Sequence, residues 1–395
     1  MTTRRSIIRA GLLGSAILTG AVSYAPMAMA QEVVKIGLIL PMTGPFASTG
    51  RQIEAAAKLY MAQNGATVAG KKIELIVKDD TGTPDVTRRL AQELLVNEKV
   101  SVLGGFGLTP LAMSTVPLAT QAKVPMVVMA AATSMITEAS PFVTRTSFTL
   151  PQAASVMADW ASKNGVKKVV TLVSDYAPGH DAEKWFADTF TAAGGKVEAS
   201  IRAPLQNPDF AAFLQRVKEA QPDALYVFVP SGVGATVMKQ FVERGLDKSG
   251  IKLIGTGDVT DDDIINGYGD AAIGAITAHH YSAAHPSAKN KAFVEAFKKA
   301  SNMRPNFMGV AGYDGMHLIY EALKKTGGTT DGTKLMDAMK GTAWESPRGP
   351  VSIDPETREI VLNMYVRKVE KVDGELYNVE FSTFEGVKDP AKKKK

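Results

Sequence analysis

The chain reads as an α/β protein of two lobes, each a doubly wound parallel sheet, joined by a hinge of several crossings. Three observations predict this. Apolar runs of strand length, rich in Val and Ile, alternate with stretches of helical periodicity from residue 33 almost to the end. Such alternation places helices on both faces of a parallel sheet. The pattern completes one α/β set by about residue 147 and then restarts, with no Pro- or Ser-rich tether between the sets. The length, 395 residues, also exceeds what one hydrophobic core organises well.

The first strand is 33–40, Val-Val-Lys-Ile-Gly-Leu-Ile-Leu, and a Gly- and Pro-rich turn over 41–47 ends it. A helix is predicted next, with Thr49 as its cap and Gln52 completing a capping box. Ile53, Ala56, Ala57 and Tyr60 share its apolar face, and Asn64-Gly65 stops it. A strand over 72–78 closes a βαβ unit. The first turn of that unit lies beyond the carboxyl ends of the strands, where α/β sheets bind small molecules. Helices over 84–97 and 110–121 and strands over 100–103 and 124–129 complete the first set, with Gly104-Gly105-Phe106-Gly107 as a tight turn.

The second set runs helix 152–163, strand 168–173, helix 180–193, strand 196–203, helix 209–220, strand 224–229, helix 234–245 and strand 251–254. Residues 275–281 are expected to cross back. Helices over 289–299, 308–325 and 333–339 are assigned to the first lobe. Strands over 361–369 and 376–381, joined by a hairpin turn at Asp373-Gly374, are assigned to the second. The expected division is 31–147 with about 281–356 for lobe 1, 148–280 with about 357–385 for lobe 2, and a basic tail over 386–395.

Residues 1–30 stand outside this pattern. Arg4, Arg5 and Arg9 precede a short apolar run and Ala28-Met29-Ala30, the layout of an export signal cleaved after Ala30. Arg4-Arg5 also fits the twin-arginine type, and the expected location is the periplasm. Removing the signal takes away three arginines and no acid, so the net charge falls from +5 to +2. A near-neutral body lacks the clustered basic face that a nucleic-acid partner requires. No other apolar run reaches membrane-spanning length. The closing lysines follow Asp389-Pro390-Ala391 and are expected to be a frayed, solvated end. With no cysteine, disulfides, thiol nucleophiles and thiolate metal sites are excluded together.

The opening βαβ unit carries a family resemblance. Ile36-Gly37, Leu40-Pro41-Met42-Thr43-Gly44-Pro45, Gly50 and Val77-Lys78-Asp79-Asp80, in that order, resemble the start of the type I periplasmic binding proteins. Within them the chain is most similar to the branched-chain amino-acid (Leu/Ile/Val-binding) group of ABC transporters, from about Val33 to about Ile353. The resemblance implies lobes that close over a small ligand. One lobe would hold the ligand's carboxylate through backbone N–H groups and hydroxyls where strands meet helices, positions that suit an anion.

By position, Leu108 and Thr109 match the first such turn, and Ala131, Thr133 and Ser134 the second. The alternative for Thr109 and Thr133 is that they only cap their own helices. In the other lobe Tyr176 matches an aromatic residue that packs on the ligand, while Ser231 and Asp258 end strands facing the same cleft. Tyr313 matches a recurrent cleft tyrosine, or else is a core aromatic of its helix. The chain also departs from the amino-acid binders: Thr49 stands where a tyrosine is common, and Gly257-Asp258 where a glutamate receives the ammonium group. Phe46 and Phe106 meanwhile bring rings to turns at the cleft edge. Apolar walls with a few placed donors suit a flat acid, so an aromatic carboxylate of benzoate or cinnamate type is expected, with a branched-chain amino acid as the rival.

No catalytic group is expected. Ser249-Gly250-Ile251-Lys252 and Lys325-Thr326-Gly327 spell fragments of a serine acyl-transfer signature, but Ser174-Asp175-Tyr176 precedes both and lacks the needed Asn. His279-His280 and His285 lack a ligand-spaced acid. Asp261-Asp262-Asp263 lacks calcium-loop spacing and is expected to be a solvated helix start. The expectation is a monomeric binding protein with no cofactor and no metal. Its partners would be a small carboxylate and the membrane subunits of an ABC permease; it would take no nucleic acid and insert no span of its own. A ligand sensor feeding a separate receptor is the alternative use of the same fold.

Overall fold

The computed structural model describes residues 32–392; the expected export signal and the last three lysines lie outside them. The first part of the chain runs β1 (Val33–Leu40), α1 (Ala47–Asn64), β2 (Thr67–Val68), β3 (Lys71–Asp79), α2 (Pro84–Val96), β4 (Val102–Gly105), α3 (Thr109–Ala122), β5 (Met126–Val128) and β6 (Val143–Arg145). The second part runs α4 (Leu150–Lys163), β7 (Lys168–Ser174), α5 (Ala177–Ala192), β8 (Lys196–Ala203), α6 (Ala211–Ala220), β9 (Ala224–Phe228), α7 (Gly234–Glu243), β10 (Lys252–Thr256) and β11 (Ile276–His279). There follow α8 (Ala288–Ser301), α9 (Phe307–Lys325), α10 (Gly332–Met339), β12 (Ala343–Ser346), β13 (Gly349–Ile353), β14 (Ile360–Val372) and β15 (Glu375–Val387). None of the described helices is long and apolar enough to cross a membrane.

Among the described residues six strands form one sheet, ordered β2-β3-β1-β4-β5-β6 and parallel except at the β2 edge. Nine form the second, ordered β12-β13-β14-β11-β10-β9-β7-β8, with β15 paired to β14. Its strands from β8 to β11 are parallel, and those from β14 outward are antiparallel. The fold is α/β with two mixed, mostly parallel sheets.

Strand periodicity explains why helices cover both faces. Along β1, Val34, Ile36, Leu38 and Leu40 join Ile53, Ala56 and Ala57 of α1 in one core, while Ile39 faces Leu90 and Leu94 of α2 in another. Successive side chains of a strand point to opposite faces, so a strand buried on both sides must be apolar throughout. The second sheet repeats the device. Val169, Tyr226 and Ile254 face the core shared with α4 and α5, whereas Leu172, Leu225 and Leu253 face Leu214 of α6 and Phe241 of α7.

Several local expectations need correcting. Helix α1 begins at Ala47, and its N-cap Phe46 makes no side-chain cap. Thr49 therefore lies inside the first turn, and no Thr49–Gln52 capping box forms. Gln52 is fully buried because its amide serves the entry to α9, donating to Arg304 O at 2.8 Å and accepting from Asn306 N at 3.1 Å. A capping box does occur, at Thr149 and Gln152 of α4. Residues 276–279 form a strand within the crossing region. β12 and β13 pair into the second sheet, which thus takes up part of the stretch assigned to the first lobe. The hairpin turn falls at Asp373-Gly374, with φ of 51° and 85°, both positive as a type I′ turn demands.

The chain passes between the sheets at residues 146–149 and again after His279. Arg348, in the β12–β13 turn, ties these passages together. Its guanidinium donates to Thr146 O at 2.6 Å and Ser147 O at 3.1 Å, and lies 2.7 Å from both His280 Nδ1 and Asp314 Oδ2. Around it Phe148, His279, His280 and Phe307 pack tilted or edge-on to one another, with centroids 4.2–6.1 Å apart.

The acidic run Asp261-Asp262-Asp263 is not a solvated helix start, because Asp261 and Asp262 are each 1% exposed. Asp262 accepts from Asn378 Nδ2 at 3.0 Å and faces Arg367. Asp261 bonds to Ser231 Oγ and to Asn306 Nδ2. Asp263 joins Ser48 Oγ and Gln52 Nε2 of α1 to the loop after β10. The two sheets' loops meet here. Gly232, at φ +97°, approaches the Pro45 carbonyl so closely that a Cβ would strike it.

His279 allows a pH test of this packing. Its Nδ1 accepts the His280 N–H at 2.9 Å, so Nε2 carries the proton and points toward Asp258 Oδ2, 3.6 Å away. Burial first, joined by the Arg367 and Arg348 charges, lowers its pKa to about 4 against the pull of Asp258. The unfolded ring titrates near 6.5. The stability His279 lends is therefore complete above that value and lost as pH falls toward 4. At about 1.4 kcal/mol per pH unit between the two values, wild type should lose roughly 3 kcal/mol more than His279→Gln from pH 6.5 to 4. Denaturant unfolding across that range checks it; parallel curves would show that the ring does not titrate on unfolding.

Candidate ligand-binding site

At the carboxyl ends of both sheets lies a small cavity of about 20 Å³, room for a water molecule as the side chains stand. Its first-sheet wall is built by two strand-to-helix turns. After β4 the chain turns through Gly107 so tightly against Pro41 that a Cβ there would clash. Leu108 then caps α3 through its backbone, with no side-chain cap. Thr109 is free of capping duty, and its Oγ1 lies 2.8 Å from Thr133 Oγ1. Thr133 makes no cap either.

The second turn, after β5, is held from behind. Buried Arg145 donates to the carbonyls of Ala131 at 2.6 Å and Thr133 at 2.7 Å, and pairs with Glu359 at 2.8 Å. The Ala132 carbonyl accepts from Leu150 N. In a trans peptide the N–H points opposite to the C=O. The Ala132 N–H, which shares its peptide with the Ala131 carbonyl, therefore points away from Arg145, which does not line the cavity, while Ala131 and Ala132 do. That N–H and the start of α3 together make a cradle for an anion on the cavity's first-sheet wall.

The opposite wall is aromatic and carries one acid. Tyr176 stacks on Phe228, with centroids 6.1 Å apart and planes at 14°, and Phe46 completes the ring-lined part of the cavity. Burial, then the nearby Asp258 charge, holds the Tyr176 hydroxyl well above its ordinary pKa. Asp258 is 4% exposed. Its Oδ2 accepts from Thr256 Oγ1 at 2.9 Å and faces His279. Ser231 lines the cavity, but its proton is committed to Asp261.

The cavity thus gathers Phe46, Thr49, Leu108, Thr109, Ala131, Tyr176, Ser231 and Asp258. Thr133 reaches it only through Thr109. Three predicted residues lie elsewhere. Phe106 adopts φ +67°, which turns its ring into the α2–α3 core beside Ala112 and Met126. Ser134 is spent on other partners, its N–H on Asp181 and its hydroxyl on Asp389. Tyr313 packs edge-on against Tyr60 and donates to Gln63, near the C-terminal end of α1, whereas the cavity adjoins that helix's N-terminus.

Pro178 and Pro230, from the loops of Tyr176 and Ser231, line the cavity too, as do Leu150, Phe228 and Met308, which were not foreseen. Phe228 ends β9, and strand-end position could have found it. Leu150 and Met308 open helices after chain crossings, and no local pattern signals them. The tail corrects another expectation. Lys392 is not solvated: its side chain is 7% exposed and bonds to Ser134 O and to Glu138 at 2.9 Å, behind the second turn.

A profile described as periplasmic binding protein matches residues 33–375. The Leu/Ile/Val-binding protein homolog 6 of Brucella melitensis is 45% identical over 376 residues, 94% of this chain and 96% of the relative. A solute-binding protein of an ABC transporter from Rhodopseudomonas palustris BisB5, solved in complex with 3,4-dihydroxybenzoic acid, is 65% identical. It superposes with a TM-score of 0.90 over 91% of this chain and 99% of its own. Another from Rhodopseudomonas palustris HaA2, in complex with p-hydroxybenzoic acid, is 42% identical with a TM-score of 0.88 and the same coverage. Similarity at this level over nearly the whole length leaves one assignment: the chain belongs to the periplasmic binding protein family, as the non-enzymatic, solute-binding component of an ABC transporter.

Proposed function

We propose that the protein binds an aromatic carboxylate of benzoate type by closure of its two lobes and delivers it to the membrane subunits of an ABC permease. The observation that carries this reading is the pairing of an aromatic wall, Tyr176 on Phe228 with Phe46 nearby, with the Ala132 N–H left forward in the 131–133 turn. Dispersion holds the ring and backbone donors hold the carboxylate. Thr109 adds a hydroxyl: the Thr109–Thr133 pair carries two protons and its mutual bond uses one, leaving one to donate to the ligand. The complexes of the two Rhodopseudomonas relatives with hydroxylated benzoic acids support the same class. An export signal over residues 1–30, cleaved after Ala30 and read either by the twin-arginine route or by ordinary secretion, would deliver the protein to the periplasm as a monomer.

A branched-chain amino acid is the second reading, favoured by the name of the Brucella relative. An α-ammonium needs an acceptor beside the carboxylate's donors. The acid lining this cavity, Asp258, instead follows β10 of the second sheet, across from Thr109. Calorimetry of the protein, refolded to strip carried ligand, against benzoate, 4-hydroxybenzoate and leucine tests the choice. Saturable binding of an aromatic acid with no response to leucine is expected; the reverse would overturn the proposal.

A further inference from the structure

We infer that Asp258 reads a hydroxyl group on the ligand's ring, so that the site prefers hydroxylated aromatic acids to unsubstituted ones. This rests on the aromatic-carboxylate reading and adds a chemical requirement to it. The cavity is polarised. Donors gather on the first-sheet side, at the 131–133 turn and Thr109, and the acidic acceptor stands on the second-sheet side. Asp258 is almost wholly buried yet lines the cavity, and the bond that fixes it, from Thr256, engages Oδ2. The neutral His279 ring behind it also faces Oδ2. Its placement is therefore set from the protein side, and the carboxylate has acceptor capacity left for the cavity.

The ligand's own carboxylate cannot take that place, because two like charges would meet out of water. A bare ring edge would leave Oδ1 of this buried carboxylate without a donor, which is costly. A ring hydroxyl supplies a proton without adding charge. A planar acid with its carboxylate at the cradle and an O–H at the far ring edge satisfies both poles at once. An ether at the same ring position fills similar space and cannot donate.

The test is calorimetry with 4-hydroxybenzoate, benzoate and 4-methoxybenzoate on wild type, Asp258→Asn and Thr256→Val. Wild type should bind the hydroxylated acid at least ~10-fold more tightly than either analogue, the scale of one charge-assisted hydrogen bond. In Asp258→Asn the ratio should fall below ~3, since an amide is a weaker, uncharged acceptor. Thr256→Val, which frees Asp258 from its positioning hydroxyl, should give an intermediate ratio. Equal wild-type affinity for all three acids overturns the inference alone. So does a variant that weakens all three by one common factor, which would mark Asp258 as scaffold. If no aromatic acid binds wild type, the underlying reading fails with it.

Discussion

Replacing Arg348 by methionine is expected to cost roughly 3–5 kcal/mol of folding stability, the usual consequence of removing one partner from a buried ion pair. The side chain is 1% exposed and Asp314 faces it at 2.7 Å. Methionine fills comparable space but leaves the Asp314 carboxylate with only Trp344 Nε1 and Ser346 Oγ as donors. It also strands the carbonyls of Thr146 and Ser147, both at a crossing between the sheets. Lysine should not rescue, because one ammonium cannot reproduce the planar fork that spans four acceptors. Removing the charge on both sides, with Arg348→Met and Asp314→Leu together, should recover part of the loss. Denaturant unfolding measures all three, and a loss below about 1 kcal/mol for the single methionine variant would refute the role given to the pair.

Thr109→Val should weaken binding of the aromatic acid by roughly 10- to 100-fold, since hydrogen bonds to a charged group contribute about 1.5–3 kcal/mol. Valine keeps the shape and removes only the hydroxyl, and no helix cap is lost because Thr109 makes none. Thr133→Val should weaken binding less. It touches the ligand side only through Thr109, 2.8 Å away. The double variant should be little worse than Thr109→Val alone, since the second hydroxyl has nothing left to orient. Calorimetry on the three variants decides the matter, and unchanged affinity in Thr109→Val would remove the hydroxyl from the site.

The fold is legible in the chain because its strands are apolar on both faces and its helices on one. Runs such as Val33–Leu40 and Ala224–Phe228 state both length and burial. The family resemblance, laid on the strand ends, likewise marks Thr109, Ala131, Tyr176 and Asp258 as facing one cleft, and all four line one cavity. What escapes a local reading depends on partners far along the chain. Ser134 is claimed by Asp389, 255 residues away, and Asp261 and Asp262 are buried only because Asn306, Asn378 and Arg367 arrive to meet them. Phe106 fails for a different reason. One residue with positive φ reverses which side of a turn its ring takes, and spacing alone does not encode that. β12 and β13 carry Glu345 and Pro350, residues that weaken any strand pattern but are tolerated near a sheet edge.

Ser48, Gln52 and Asp263 join the halves of the molecule outside the cavity. Under the lobe closure proposed above, free energy held in that seam would favour the shut form by the same amount whichever solute is inside. Natural variation at these three positions would therefore raise or lower uptake thresholds for all substrates together, while their rank order stays with the residues that touch them. A bacterium could in this way adapt to scarcity or plenty without altering its diet.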